Sequence, residues 1–222
     1  MSIISRESRR RAPPRADDPR VVRTRAAVVE AGRTLFLRQG YVGTTMEEIA
    51  ALAGVTKRTV YNNYADKQTL FLQIVGEATA FAEGFARGLE AEFTVGMTAV
   101  GVRSLLHDLA RRMTLAILRP EVIALRRLLV CEAQTFPALA ADYFDRAPGQ
   151  VMKALAAGFT HLDRAGLLRV TDARHAAGQF AYLVVGEPLD RAMLTGIAPL
   201  AEEVANSARE GVETFLARYG AP

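Results

Sequence analysis

Beyond Pro19 the chain places apolar residues at a helical period almost throughout, and the alternation that a strand requires is hard to find. Val22, Ala26, Val29, Gly32 or Arg33, and Phe36 share one face, so a first helix is expected over about Val21–Gln39, stopped by Gly40. Met46, Ile49, Ala50 and Ala53 then recur at i, i+3, i+4 and i+7. Thr45 precedes them with Glu48 three residues on, a capping box that specifies a helix start, and Gly54 ends the element. Thr56 can cap the next, brief helix, which Ala65-Asp66 interrupts, and Asp66 reads as the N-cap of a longer helix through Leu70 and Ile74.

Thr45 to Tyr64 therefore spells helix, short glycine-containing turn, helix: the helix-turn-helix arrangement. From Lys67 to Arg218 a helical body is expected. Breaks fall near Thr94–Gly96, Arg119-Pro120, Pro137, Gly166–Asp172 and Ile197–Pro199, which leaves about six body helices. Pro188, inside the Gln179–Leu194 pattern, is expected to kink or break its helix, because it lacks an N–H and crowds the preceding turn. The fold class is thus all-α. Its expected divisions are an arginine-rich arm at 1–19, a helix-turn-helix domain at 20–66, and a helical body domain at 67–222.

In the second short helix Val55, Val60 and Tyr64 face inward at helical spacing, leaving Thr56, Lys57, Arg58, Thr59, Tyr61, Asn62 and Asn63 for its outer face and N-terminal end. Each type has a use against double-stranded DNA. Lys57 and Arg58 can neutralise phosphate or donate to guanine O6 and N7, Asn62 can pair with adenine, and Thr59 can touch a thymine methyl. Tyr61 and Lys67 suit phosphate oxygens, and Thr45 can offer its hydroxyl and backbone N–H to another. The same residues would also serve as an ordinary solvated helix.

Charge sharpens this picture through its placement. The net charge is only +4 over 222 residues, yet Arg6, Arg9, Arg10, Arg11, Arg15, Arg20, Arg23 and Arg25 crowd the start of the chain. Such an arm attracts polyanions, and it would equally serve as a solubilising tail. Half the residues are apolar, enough for a substantial core. The single cysteine, Cys131, excludes an internal disulfide framework and suits a reducing cytosol; in "LLVCEA" it reads as an inert core residue rather than a redox sensor. Neither a signal peptide nor a membrane span is visible, so the expected location is cytoplasmic. The three histidines are scattered, and there is no phosphate-cradling glycine loop and no Gly-x-Ser-x-Gly. No metal, no cofactor and no catalytic site are expected.

"TTMEEIAALAGVTKRTVYNNYADKQTLF", with the preceding "AAVVEAGRTLFLRQGYVG", resembles the DNA-binding signature of the tetracycline-repressor (TetR) family of bacterial transcription regulators, without a gap over roughly Arg23 to Val75. The resemblance implies that the third helix reads the major groove, that Tyr61 and Lys67 hold phosphates, and that Tyr64 packs beneath the reading helix. Thr56 stands where the family usually has Ser, Asn63 where it often has His, and Tyr64 where Phe is commoner; only the phosphate contact at Asn63 is put in doubt.

"CEAQTFPALAADYFDRAPGQV" and "FAYLVVGEPLDRAML" are similar to the C-terminal domain of one branch of that family. This implies a homodimer on a palindromic operator, released when a small-molecule effector enters the helical body, and, from the family's habit, a repressor. The last two helices would then form the dimer interface. Phe180, Leu183, Val184, Leu189 and Leu194 supply one apolar face, and Val204, Val212, Phe215 and Leu216 another; without the family, an intramolecular core is the default reading of both patterns. Two-fold symmetry would set the reading helices about 34–36 Å apart. The helix beginning at Lys67 would be the lever between sensing and reading.

Candidates to line a pocket are polar residues in apolar text: His107, Arg111, Glu132, Gln134, His161, His175, Gln179, Tyr182 and Glu187, with Phe136, Tyr143, Phe144, Met113 and Met152 nearby. The competing reading is a helical small-molecule carrier or enzyme whose basic segment is incidental.

Overall fold

The computed structural model describes residues 18–93 and 98–221, so most of the arginine-rich arm and the break expected near Thr94–Gly96 lie outside the described residues. Ten helices follow in order: α1 Pro19–Gly43, α2 Met46–Leu52, α3 Lys57–Asn63, α4 Lys67–Glu92, α5 Ala99–Ile117, α6 Pro120–Cys131, α7 Pro137–Arg146, α8 Pro148–Arg164, α9 Ala173–Thr195 and α10 Ala201–Tyr219. Among the described residues the only β pairing is an isolated antiparallel bridge, Leu168 with Gly220. The fold is all-α.

Local chemistry accounts for the helix starts. Asp18 accepts from the Arg20 N–H at 2.8 Å with Pro19 in the first helical turn, so α1 begins slightly earlier than its apolar stripe indicated. The Thr45–Glu48 capping box is formed reciprocally, Thr56 accepts from the Thr59 N–H at 3.2 Å, and Asp66 accepts from the Thr69 N–H at 2.7 Å. Gly40 carries φ 78° and ψ 172°, which breaks α1's helical path and sends the chain toward α2.

Two apolar clusters divide the molecule. One joins α1, α2 and α3 to the first half of α4, through Val28, Phe36, Ile49, Val60, Tyr64, Leu70 and Phe71, and also takes in Leu125, Leu128 and Leu129 of α6. The other fills the body around Leu106, Met113, Leu155, Phe159, Phe180 and Phe215, together with Ala86 and Leu89 from the far half of α4 and Phe93 at its C-cap. Of these helices α4 contributes to both clusters, and α6 joins the first, a participation the sequence pattern did not indicate.

The body differs from expectation in two respects. It holds seven helices, because the segment after Pro137 is cut at Ala147, where ψ is −89° and Pro148 opens α8. Second, α9 is not broken at Pro188, and the helix continues to Thr195. The proline leaves the Val184 carbonyl without its usual i+4 donor, and Ser207 of α10 donates its hydroxyl to that oxygen at 3.1 Å. One turn further along α10, Gly211 brings that helix so near α9 that a Cβ there would lie 2.5 Å from the Leu183 carbonyl oxygen.

That crossing also places four of the residues expected at the interface of the last two helices. Phe180, Val184, Val212 and Phe215, expected at a subunit interface, are fully buried in the chain's own core, where Phe180 and Phe215 stack edge-on at 5.2 Å. Leu216 is half-buried against the same core, and Leu189 also lines the body cavity. Only Leu183 and Leu194 of that set are exposed, beside Tyr182, Ile197 and Leu200. The hydrophobic period finds a buried face but cannot say whether the cover is the same chain or another.

Candidate DNA-reading surface and effector cavity

α3 is anchored from below and displayed above. Val60 is fully buried and Tyr64 nearly so, which fixes the helix against α1 and α2. The opposite face presents Arg58, Tyr61 and Asn62 to solvent. Among the described residues Arg58 and Asn62 make no hydrogen bond or ion pair through their side chains, so their donors are available to a ligand.

Their neighbours are more committed. Lys57 pairs with Glu47 of α2 and lies 5.7 Å from the centre of the Tyr61 ring. The hydrogen bond to Glu47 raises the lysine's pKa and lowers that of the carboxylate, so both stay charged at neutral pH. Lys57 can reach a phosphate only by exchanging that partner. The Thr56 and Thr59 hydroxyls bond each other at 2.8 Å, and the Asn63 amide donates to the Thr59 carbonyl at 2.8 Å.

Two expected phosphate ligands are placed differently. Thr45 spends both groups on Glu48, its N–H and its hydroxyl each donating to that carboxylate at 2.9 Å. Those bonds hold the Glu48 carboxyl below the usual range. Lys67 turns inward: its ammonium donates to the carbonyls of Tyr41 and Thr44, both at 2.8 Å, and sits 4.4 Å from the centre of the Tyr41 ring. A cation on the final carbonyls of α1 complements that helix end and pins it to the start of α4. Lys67→Ala is accordingly expected to destabilise the fold by about 1.5–3 kcal/mol, the worth of hydrogen bonds to a charged group. Thermal unfolding checks this; an unchanged melting temperature would return Lys67 to solvent.

In the body, an apolar cavity opens between α4, α5, α6, α7, α8 and α9. Its wall is Ala78, Phe81, Ala82 and Phe85 from α4, Met113 and Ile117 from α5, and Val122, Leu125 and Arg126 from α6. Tyr143, Val151, Met152, Ala181, Tyr182, Val185 and Leu189 also line it, with Ala116, Ala147 and Pro148. Among the described residues Arg126 is the only charged side chain in the lining, and Tyr143 and Tyr182 supply the phenols. Burial pushes the Tyr143 phenol up, so it remains protonated and able to donate.

Of the pocket candidates, Tyr182, Tyr143, Met113 and Met152 line this cavity. His107 and Arg111 instead line a groove between α5 and α10, where His107 bonds Glu213 at 2.9 Å. His161 is exposed on α8, outside the cavity, and Gln134 and Glu187 are exposed as well. His175 and Gln179 border a shallow surface recess that Tyr182 also reaches. Phe144 is exposed on an outer groove. Phe136 packs at 4.9 Å on Tyr41 and 5.6 Å on Phe71, joining the body to the three-helix unit rather than facing the cavity. Glu132 lies between α1 and α6. Arg126 was missed because it reads as one of two adjacent surface arginines, and Phe81, Phe85 and Val185 because an apolar cavity wall and a packed core share one pattern.

A three-helix unit with an exposed reading helix, joined to an all-α body with an apolar cavity, defines the class of two-part helix-turn-helix regulators. Residues 104–221 match the AefR-like transcriptional repressor C-terminal domain, and residues 28–74 match the tetR family of bacterial regulatory proteins. The chain belongs to the tetR family. The repressor BepR of Brucella suis biovar 1 (strain 1330) is 40% identical over 55 residues; these cover 25% of this chain and 26% of that repressor's length. Similarity to solved structures runs further. A TetR-family regulator from Mesorhizobium loti MAFF303099 is 29% identical with a TM-score of 0.78, over 92% of this chain and 100% of that one. The flavonoid-responsive regulator FrrA is 28% identical with a TM-score of 0.65, over 90% of this chain and 98% of its own. Among the described residues no helix is long and apolar enough to cross a membrane, and no group of His, Cys, Asp and Glu side chains is placed to hold a metal ion.

Proposed function

We propose that the protein is a cytoplasmic, effector-responsive repressor that binds a palindromic operator as a homodimer and is released by a small molecule. One observation carries this reading. Part of the cavity wall comes from α4 and α6, which also contribute to the core beneath α1–α3. A molecule that spreads Ala82 and Phe85 from Leu125 and Arg126 displaces the supports of the reading helix without touching it. Binding of effector and of DNA then become linked equilibria, each weakening the other by the same factor.

Arg58 and Asn62 read bases in this account, Tyr61 holds phosphate, and Lys57 joins it after leaving Glu47. Lys67, Thr45 and Asn63 position the reading unit. The dimer forms through the exposed face of α9 and the segment after it, with Leu183, Leu194, Ile197 and Leu200. The cavity suits a largely apolar molecule, with Arg126, Tyr143 and Tyr182 for an acidic or phenolic group. A phenolic effector is also consistent with the flavonoid response of the relative FrrA.

Selection of bound fragments from genomic DNA tests the proposal. The expected product is an enriched two-fold palindrome whose half-site centres lie about one helical turn apart, or a whole number of turns. A pool with no enriched palindrome would overturn it.

A further inference from the structure

A groove of about 440 Å³ runs between α5 and α10 and shares no lining residue with the body cavity. The helical period accounts for it. On α5, His107, Arg111, Leu115 and the following Leu118 recur at i, i+4, i+8 and i+11 and form one stripe, while Met113 and Ile117 face the cavity. The facing stripe of α10 is short: Ala201, Ala205 and Ala208 leave space that larger side chains would fill. The volume falls in the range of about 300–1,000 Å³ usual for small-molecule sites.

The lining combines two chemistries. Its apolar part includes the buried Leu118 and Ala208, the half-buried Val204, and Leu115, which is 60% exposed. The charge comes from Arg111 on α5, Arg209 on α10, and Arg119 just beyond α5. Arg119 has Glu121 at 3.6 Å, and His107 bonds Glu213, which also pairs with Arg103. Arg111 and Arg209 make no hydrogen bond or ion pair through their side chains among the described residues, and no carboxylate among those residues lines the groove. An exposed guanidinium is well solvated, so the charge alone selects nothing. What selects is its company: cations of one sign focus a positive potential on a cleft, and here the same cleft leaves leucine surface in water. A carboxylate joined to hydrocarbon satisfies both at once.

We propose that this groove is a second small-molecule site, taking an aliphatic carboxylate whose head is held by Arg111 and Arg209 and whose chain lies on Leu115, Leu118 and Val204. Such a ligand would bridge α5 and α10 outside the body cavity. The proposal rests neither on DNA binding nor on that cavity, and its test needs neither.

His107 offers a local reporter, because His161 and His175, the other histidines of the chain, do not line the groove. The full chain, carrying isotope-labelled histidine, is titrated by NMR at constant pH and ionic strength with octanoate, with 1-octanol, which lacks the charge, and with acetate, which lacks the chain. Octanoate should shift the His107 ring signal saturably, and neither of the others should do so at the same concentrations. In the double variant Arg111→Gln, Arg209→Gln the octanoate midpoint should rise about fivefold or more, as when exposed ion pairs to two guanidinium groups are lost. In Arg126→Gln, which removes the charge of the body cavity, the midpoint of the His107 shift should stay where it was. An equal shift with 1-octanol or acetate, no shift with octanoate, an unmoved midpoint in the double variant, or a raised one in Arg126→Gln would each overturn the proposal. The wild-type comparison of octanoate with 1-octanol and acetate decides the matter even if a variant fails to fold.

Discussion

Arg58→Ala and Asn62→Ala are each expected to erase preference at one base pair of every half-site, at a cost of about 1–3 kcal/mol per contact. A two-fold operator contains the contact twice, so the total loss is about 2–6 kcal/mol, and it should vanish against a duplex altered at that position. The expectation follows from exposure and availability: these two side chains stand on the outer face of α3 with no competing partner among the described residues, while Lys57 is held by Glu47 and the Thr56–Thr59 pair bonds internally. Fluorescence anisotropy on operators substituted one pair at a time makes the measurement. Equal losses on every duplex would mark both residues as phosphate contacts.

Gly211→Ala should be strongly damaging for a substitution so small. The added carbon would lie 2.5 Å from the Leu183 carbonyl oxygen and 2.7 Å from its carbon, both backbone atoms of α9. A rotamer change cannot relieve that, so α10 must move away from α9. The bond from Ser207 to Val184 would be loosened with it. Overpacking of this kind costs about 1–3 kcal/mol. In a chain of this size that lowers the melting temperature by roughly 2–4 °C per kcal/mol, to which the loosened Ser207 bond adds. A variant that melts with the wild type would show that the two helices do not approach so closely.

Legibility in the sequence followed the range of the interaction. The starts of α2, α3 and α4 could be read because Thr45–Glu48, Thr56 and Asp66 satisfy donors within one turn of themselves. The family could be read from the same stretch. What depended on remote partners could not. Pro188 looks like a helix breaker until Ser207, on another helix, supplies the missing donor. Lys67 reads as a candidate phosphate ligand, and nothing local shows that the carbonyls of Tyr41 and Thr44 lie beside it. Phe180, Val184, Val212 and Phe215 have the spacing of an interface, but the surface that covers them belongs to their own chain. Glu132 stood out as a polar residue in apolar text; that it faces the junction and not the cavity is a matter of tertiary placement alone.

The central claim is that this fold reads DNA sequence, and a salt series on the selected palindrome beside a scrambled duplex of equal length tests it most directly. The account predicts a specific complex about a thousandfold tighter or more at physiological salt, with log affinity falling linearly as log salt rises. Equal affinity for the two duplexes at every salt concentration would contradict it.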